Sequence, residues 1–124
     1  RCGRSSAVRR VLRYVPDVAR AFAEACSRGA LVHLVGPVTS KTAVLDAIGT
    51  ALNFPAWYGR NLDALHDCLV DLSWQPDGEH VLIWVGHRQL EAADPEGYRA
   101  VLAVLDDAAA AGLGRPLSVV LADV

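Results

Sequence analysis

The sequence predicts an α/β domain in which a mainly parallel sheet is covered by helices, and three observations predict it. Short apolar runs at residues 30–35, 81–85 and 117–121 alternate with longer stretches of helical periodicity. The runs are apolar nearly throughout, as in strands that are buried on both faces of a parallel sheet. At 124 residues, 52% hydrophobic and 21% charged, the chain has one domain's length and enough apolar material for a core.

Each element has a local reason. Residues 1–15 read as a basic, flexible N-terminal segment, and residues 16–124 as a single domain made of an extra helix (16–28) and a core (30–124). From Pro16 the helix places Val18, Phe22, Ala25 and Cys26 at helical spacing and stops at Gly29. A strand over 30–35 ends at Gly36 and Pro37. The next helix begins at Ser40 or Thr42, whose hydroxyl can cap it, and turns Val44, Leu45, Ile48, Ala51 and Leu52 to one side. A loop bearing Phe54, Trp57, Tyr58 and Gly59 follows, and Asn61 caps a third helix running to about Leu72. The Pro76, Asp77, Gly78 turn introduces the strand at 81–85. Asp94, Pro95 and Glu96 start the last helix, which reaches Gly112: Asp caps, Pro suits the first position and Glu complements the dipole. The strand at 117–121 closes the chain.

Composition excludes several function classes. The 14 acids against 12 bases lack the basic excess with which duplex nucleic-acid binders neutralise phosphates. Three cysteines, Cys2, Cys26 and Cys68, imply no disulfide framework and point to a reducing, cytoplasmic compartment. The apolar runs are far shorter than the roughly 20 residues of a spanning helix, and Arg13 and Pro16 interrupt what would otherwise resemble a secretory leader. Charge is unevenly distributed. Five of the 12 bases, Arg1, Arg4, Arg9, Arg10 and Arg13, lie in the first 13 residues, where there is no acid. That leaves 7 bases against all 14 acids in the remainder, a charge of −7.

The informative segment is residues 57–72. At about 100° per residue, Leu62, Leu65, Leu69 and Leu72 share one face of the third helix, and Asp63, Asp67 and Asp71 lie on the opposite one. Like charges four residues apart cost a helix a few tenths of a kcal/mol per pair, and Asp is a poor interior helix former. A solvated face explains such a stripe as well as function does. The functional reading is a negative surface beside Trp57 and Tyr58, suited to a cationic protein partner.

Pro55 to Leu69 reads Pro, x, Trp, Tyr, Gly, x, Asn, Leu, Asp, Ala, Leu, x, Asp, Cys, Leu. This resembles the signature of the barstar-like family, intracellular inhibitors of barnase-type ribonucleases, and the resemblance extends more weakly from about Ala30 through the last strand. It implies a three-layer fold with a three-stranded parallel sheet packed with helices, to which residues 16–28 add an extra helix. It also implies a protein without catalysis or cofactor, monomeric when free, that occludes a basic secreted nuclease one-to-one and does not itself bind RNA. By position, Asp67 matches the aspartate that occupies the phosphate site, Asp63 a second acidic contact, and Trp57 a stacking tyrosine. Tyr58, Gly59 and Asn61 match the loop-to-helix entry, and Asp107 on the last helix falls near a further acidic contact. Asp71 would be a rim charge. Two departures stand out: tryptophan replaces tyrosine at Trp57, and His66 stands where the family has tryptophan, a change that could make the interface sensitive to pH.

Other motifs are weaker. Gly36 to Thr42 sits between a strand and a helix, yet lacks the spacing and second glycine of a phosphate-binding loop. Asp63, His66 and Asp67 have no second cluster to complete a metal site. Cys68 reads as a small buried residue and His33 as a satisfied core histidine. The alternative to ribonuclease inhibition is a barstar-like docking module for another basic partner, which His66 and the N-terminal extension favour slightly. A nucleotide-binding enzyme comes third.

Overall fold

The computed structural model describes residues 12–55, 58–59, 61–111 and 116–122. In chain order the elements are β1 (Leu12–Val15), α1 (Val18–Ser27), β2 (Leu31–Val35), α2 (Lys41–Ala51) and α3 (Leu62–Asp71). They continue with β3 (His80–Val85), α4 (Arg88–Ala93), α5 (Pro95–Ala111) and β4 (Leu117–Ala122). The strands form one parallel sheet in the order β1-β4-β3-β2.

Helix ends are set by local chemistry. Asp17 caps α1 by accepting from the backbone N–H of Ala19 at 3.0 Å, and Ser40 caps α2 by accepting from Ala43 at 3.0 Å. At the other end of α1 the chain turns left-handed at Gly29 (φ +77°), with Ala30 N–H bonded to Ala25 O and Gly29 N–H to Cys26 O. The same pair of bonds closes α2, where Asn53 (φ +55°) holds the left-handed position and Phe54 N–H reaches Gly49 O at 2.9 Å. At α5, Asp94 accepts from Gly97 N–H at 3.0 Å ahead of Pro95, as the sequence predicts.

The sheet divides two cores. On one face Ala21 and Ala25 of α1 cover Val81 and Ile83 of β3 with Val120 and Ala122 of β4. On the other, Val35, Leu82, Trp84, Val119 and Leu121 meet Val44, Leu45 and Ile48 of α2, Leu65 and Leu69 of α3, Leu90 of α4, and Val101 and Leu105 of α5. Burial of both faces is why β3 reads as an uninterrupted apolar run. The three-layer α/β fold with a helix-covered parallel sheet is therefore present.

Three expectations are corrected. The sheet has four strands rather than three: Leu12–Val15, placed by its arginines in a flexible tail, pairs along β4 with Leu12 opposite Val119. Its backbone supplies a missing ladder for β4 while Arg13 and Tyr14 remain exposed, so charge and strand coexist; residues 1–11 lie outside those described. Second, α1 buries Ala21 and Ala25, whereas Phe22 (42% exposed) and Cys26 face solvent. Small residues let the helix backbone approach the sheet, which rotates the buried stripe away from the larger side chains. Third, a further helix, α4, stands between β3 and α5; at six residues it is too short to show a helical period in the sequence.

Arg28 at the end of α1 donates from Nε and one terminal nitrogen to Glu79 at 3.1 and 2.9 Å, tying α1 to the start of β3. These hydrogen bonds hold the Glu79 carboxyl below the usual glutamate range, against a smaller opposing effect of burial. Its contribution to stability is thus complete above the ordinary glutamate range and lost as pH falls through the lowered value. Glu79→Gln should remove this part of the acid limb in urea unfolding followed from pH 7 towards pH 3, with a smaller effect than a core truncation, because the pair is partly exposed. An acid limb identical to that of the parent chain would exclude the pair as a contributor.

Candidate functional site: an acidic helix and its entry loop

Helix α3 starts where Asn61 Oδ1 accepts from Ala64 N–H at 2.8 Å. Leu65, Cys68, Leu69 and Leu72 are fully buried and Leu62 is half-buried, which fixes the helix rotation. That rotation leaves Asp63, Asp67 and Asp71 exposed and His66 half-buried on the flank. No lysine or arginine among the described residues pairs with any of the three aspartates. Asp63 gains from the helix N-terminus, and Asp71 accepts from Ser73 Oγ at 3.1 Å. Asp67 has neither compensation. Behind it, burial pushes the Cys68 thiol above its ordinary value, and the charges of Asp67 and Asp71 add to the effect. The thiol stays protonated and inert, as a small buried residue would.

The loop before α3 is held by its aromatic residue. Tyr58 is half-buried and donates its hydroxyl to Leu45 O in α2 at 3.1 Å, and its ring meets Phe54 edge-on at 4.7 Å between centroids. Phe54 in turn meets Trp74 at 5.7 Å, and Trp74 Nε1 donates to Leu52 O at 2.9 Å. Trp74 therefore buttresses the end of α2 and half closes the core. Gly59 is exposed, and its carbonyl accepts from Asn61 Nδ2 at 3.4 Å. Trp57 lies outside the described residues. Beside the loop a groove is lined by Asp46, Thr50 and Asn53 of the α2 segment together with Pro55 and Tyr58.

Asp63, Asp67 and Asp71 are thus brought onto one solvent face, with Asn61 and Gly59 at its entry. Asp107 is exposed on α5, the helix against which α3 packs. Residues that the sequence did not single out hold the loop: Leu45 through its carbonyl, and Gly49 by having no side chain. A β-carbon on Gly49 would stand 2.9 Å from the Tyr58 ring. The signal that could have found Gly49 is its position inside a helix, where glycine costs up to about 1 kcal/mol relative to alanine and needs a reason. Among the described residues, no three His, Cys, Asp or Glu side chains come together as a metal site. No helix among them is long and apolar enough to cross a membrane.

Two substitutions test this construction. Gly49→Ala should displace the Tyr58 ring and cost about 1–3 kcal/mol despite alanine's better helix propensity; a gain in stability by urea unfolding would show the contact to be slack. Asn61→Ala should cost about 1 kcal/mol by loss of the α3 cap, and an unchanged unfolding midpoint would remove the cap from its role.

No curated protein matches the chain at significant similarity. The family model described as barstar (barnase inhibitor) matches residues 30–122, which is 93 of the 124 residues and spans β2 through β4 with the whole acidic helix and its loop. With the parallel α/β fold and the helix-entry loop in place, the chain belongs to the barstar family, a family of barnase inhibitors.

Proposed function

We propose that the protein is an immunity protein that inhibits a basic, secreted barnase-type ribonuclease by filling its active site one-to-one. The observation that carries this reading is the exposed stripe of Asp63, Asp67 and Asp71, which no cation among the described residues neutralises. Three like charges along one helix face reduce its stability. A partner whose active site is built to hold RNA phosphates recovers that cost, because the carboxylates take the place of the phosphates. Asp67 is the central contact and Asp63 the second. Trp57 supplies the stacking surface, Tyr58, Gly59 and Asn61 shape the entry, and His66 flanks the centre. Asp71 and Asp107 act at the rim. The inhibitor performs no catalysis, works in the cytoplasm as a monomer until it meets the nuclease, and does not bind RNA itself.

Charges at the centre and rim of such an interface behave differently. A charge that becomes buried and hydrogen-bonded costs about 2–5 kcal/mol of affinity or more when truncated, mainly through faster dissociation, whereas a rim charge chiefly alters association rate and salt dependence. In calorimetric titration into a barnase-type ribonuclease, tight one-to-one binding is expected. Asp67→Ala should weaken it by about 2–5 kcal/mol without unfolding the chain, and Asp71→Asn should mainly slow association at low salt. Tight binding that survives Asp67→Ala unchanged would remove Asp67 from the centre. No binding by a folded chain would favour a docking module for a different basic partner.

A further inference from the structure

On the sheet face that looks towards α2, His33 of β2 and His80 of β3 stand side by side, with ring centroids 5.2 Å apart and planes 21° from parallel. His33 Nε2 faces His80 Nδ1 at 3.0 Å. The two remaining nitrogens each face a backbone carbonyl: His33 Nδ1 lies 3.2 Å from Ala51 O at the end of α2, and His80 Nε2 lies 2.8 Å from Pro76 O. His80 is fully buried and His33 half-buried.

The proton count of this chain is decisive. A carbonyl can only accept, so both outer nitrogens must carry hydrogen. The inner contact needs one further proton between its two nitrogens. Three hydrogen bonds thus require three ring protons, whereas two neutral imidazoles supply only two. With two protons one contact is left void; with four, N–H opposes N–H across 3.0 Å. Only the singly charged pair satisfies every contact. We propose that His33 and His80 form a one-proton latch, closed by a single proton in excess of the neutral pair and opened by a second.

The charged groups nearest the pair lie on α2, in the turn before β3 and on α1. On α2, Lys41 and Asp46 are exposed. In the turn before β3, Asp77 is exposed and Glu79 is engaged by Arg28. Arg20, Glu24 and Arg28 belong to α1, which covers the opposite face of the sheet, and β4 contributes no ionisable side chain. What acts on His33 is burial, which lowers its proton affinity, then the Ala51 carbonyl, which raises it, and then His80, which lowers it. The second proton is the one refused, because it would set N–H against N–H across the inner contact.

The latch joins three places that the chain must hold together: the edge strand β2, the turn before β3, and the last residue of α2, from which the loop leads to α3. Opening it sets N–H against N–H between the two rings, so the strap from β2 to the turn before β3 parts while each outer N–H keeps its carbonyl. The sign follows from proton counting. Below the ordinary histidine range, about pH 6.5, an unfolded chain takes two protons at these rings and the folded chain keeps one. Stability therefore falls with acid, by about tenfold in the folding equilibrium per pH unit from this pair. None of this depends on the docking reading, which survives if the latch fails.

The test is a site-resolved nitrogen NMR titration of the imidazole rings in the intact chain, from about pH 8 to about pH 5. The expected result is uptake of one proton by the pair, His33 becoming protonated on both nitrogens while His80 Nδ1 stays bare. In His33→Gln the amide can donate to His80 Nδ1, so His80 should remain neutral over the same range. Either of two results would overturn the proposal: both rings protonating fully in the folded chain, or a pair that stays neutral throughout. If the variant fails to fold, the titration of the parent chain decides alone.

Discussion

The C-terminal end of α2 is where the rest of the site is anchored. A helix leaves its last carbonyls without intrahelical donors, and a buried carbonyl left unpaired is costly. Here the backbone turns at Asn53 to cover Gly49 O and Thr50 O. Ala51 O faces the His33 ring, and Leu52 O accepts from the side chains of both Trp74 and Gln75. Those donors come from β2 and from the segment after α3. Satisfying one helix end therefore fixes where the loop to α3 leaves, and where the segment following α3 returns.

That anchoring lets α3 carry an unfavourable surface. Its own sequence places three aspartates on one face, which neither helix propensity nor local charge supports. The helix persists because Leu65, Cys68, Leu69 and Leu72 are fully buried against the core, and because Asn61 and Tyr58 determine how it begins. Tertiary burial outweighs a local penalty of a few tenths of a kcal/mol per charge pair. The core thus enforces a helix that its local chemistry opposes.

The β1–α1 unit precedes the family match yet is integral to the sheet. It closes one edge by pairing β1 with β4, and it lays Ala21 and Ala25 over Val81, Ile83 and Val120. Without that cover an apolar sheet face would meet water. The acidic helix lies with the other core, so this extension supports the scaffold from behind and leaves the acidic face open.

The sequence by itself determined the alternation of strands and helices, their caps at Ser40, Asn61 and Asp94, and the rotation of α3, because each depends on residues a few positions apart. It also carried the family signature at Pro55 to Leu69. It misjudged β1, since strand formation there comes from pairing with a segment more than a hundred residues away and outweighs the charge of Arg13. It misjudged the buried side of α1, since Phe22 and Ala21 are neighbours on a helix and only the distance to the sheet decides which one fits beneath it. Tertiary structure alone decided that Tyr58 hangs from Leu45 over Gly49, and that His33 and His80, 47 residues apart in sequence, meet at one hydrogen bond. Such contacts are made by strand register and helix placement, which no local pattern encodes.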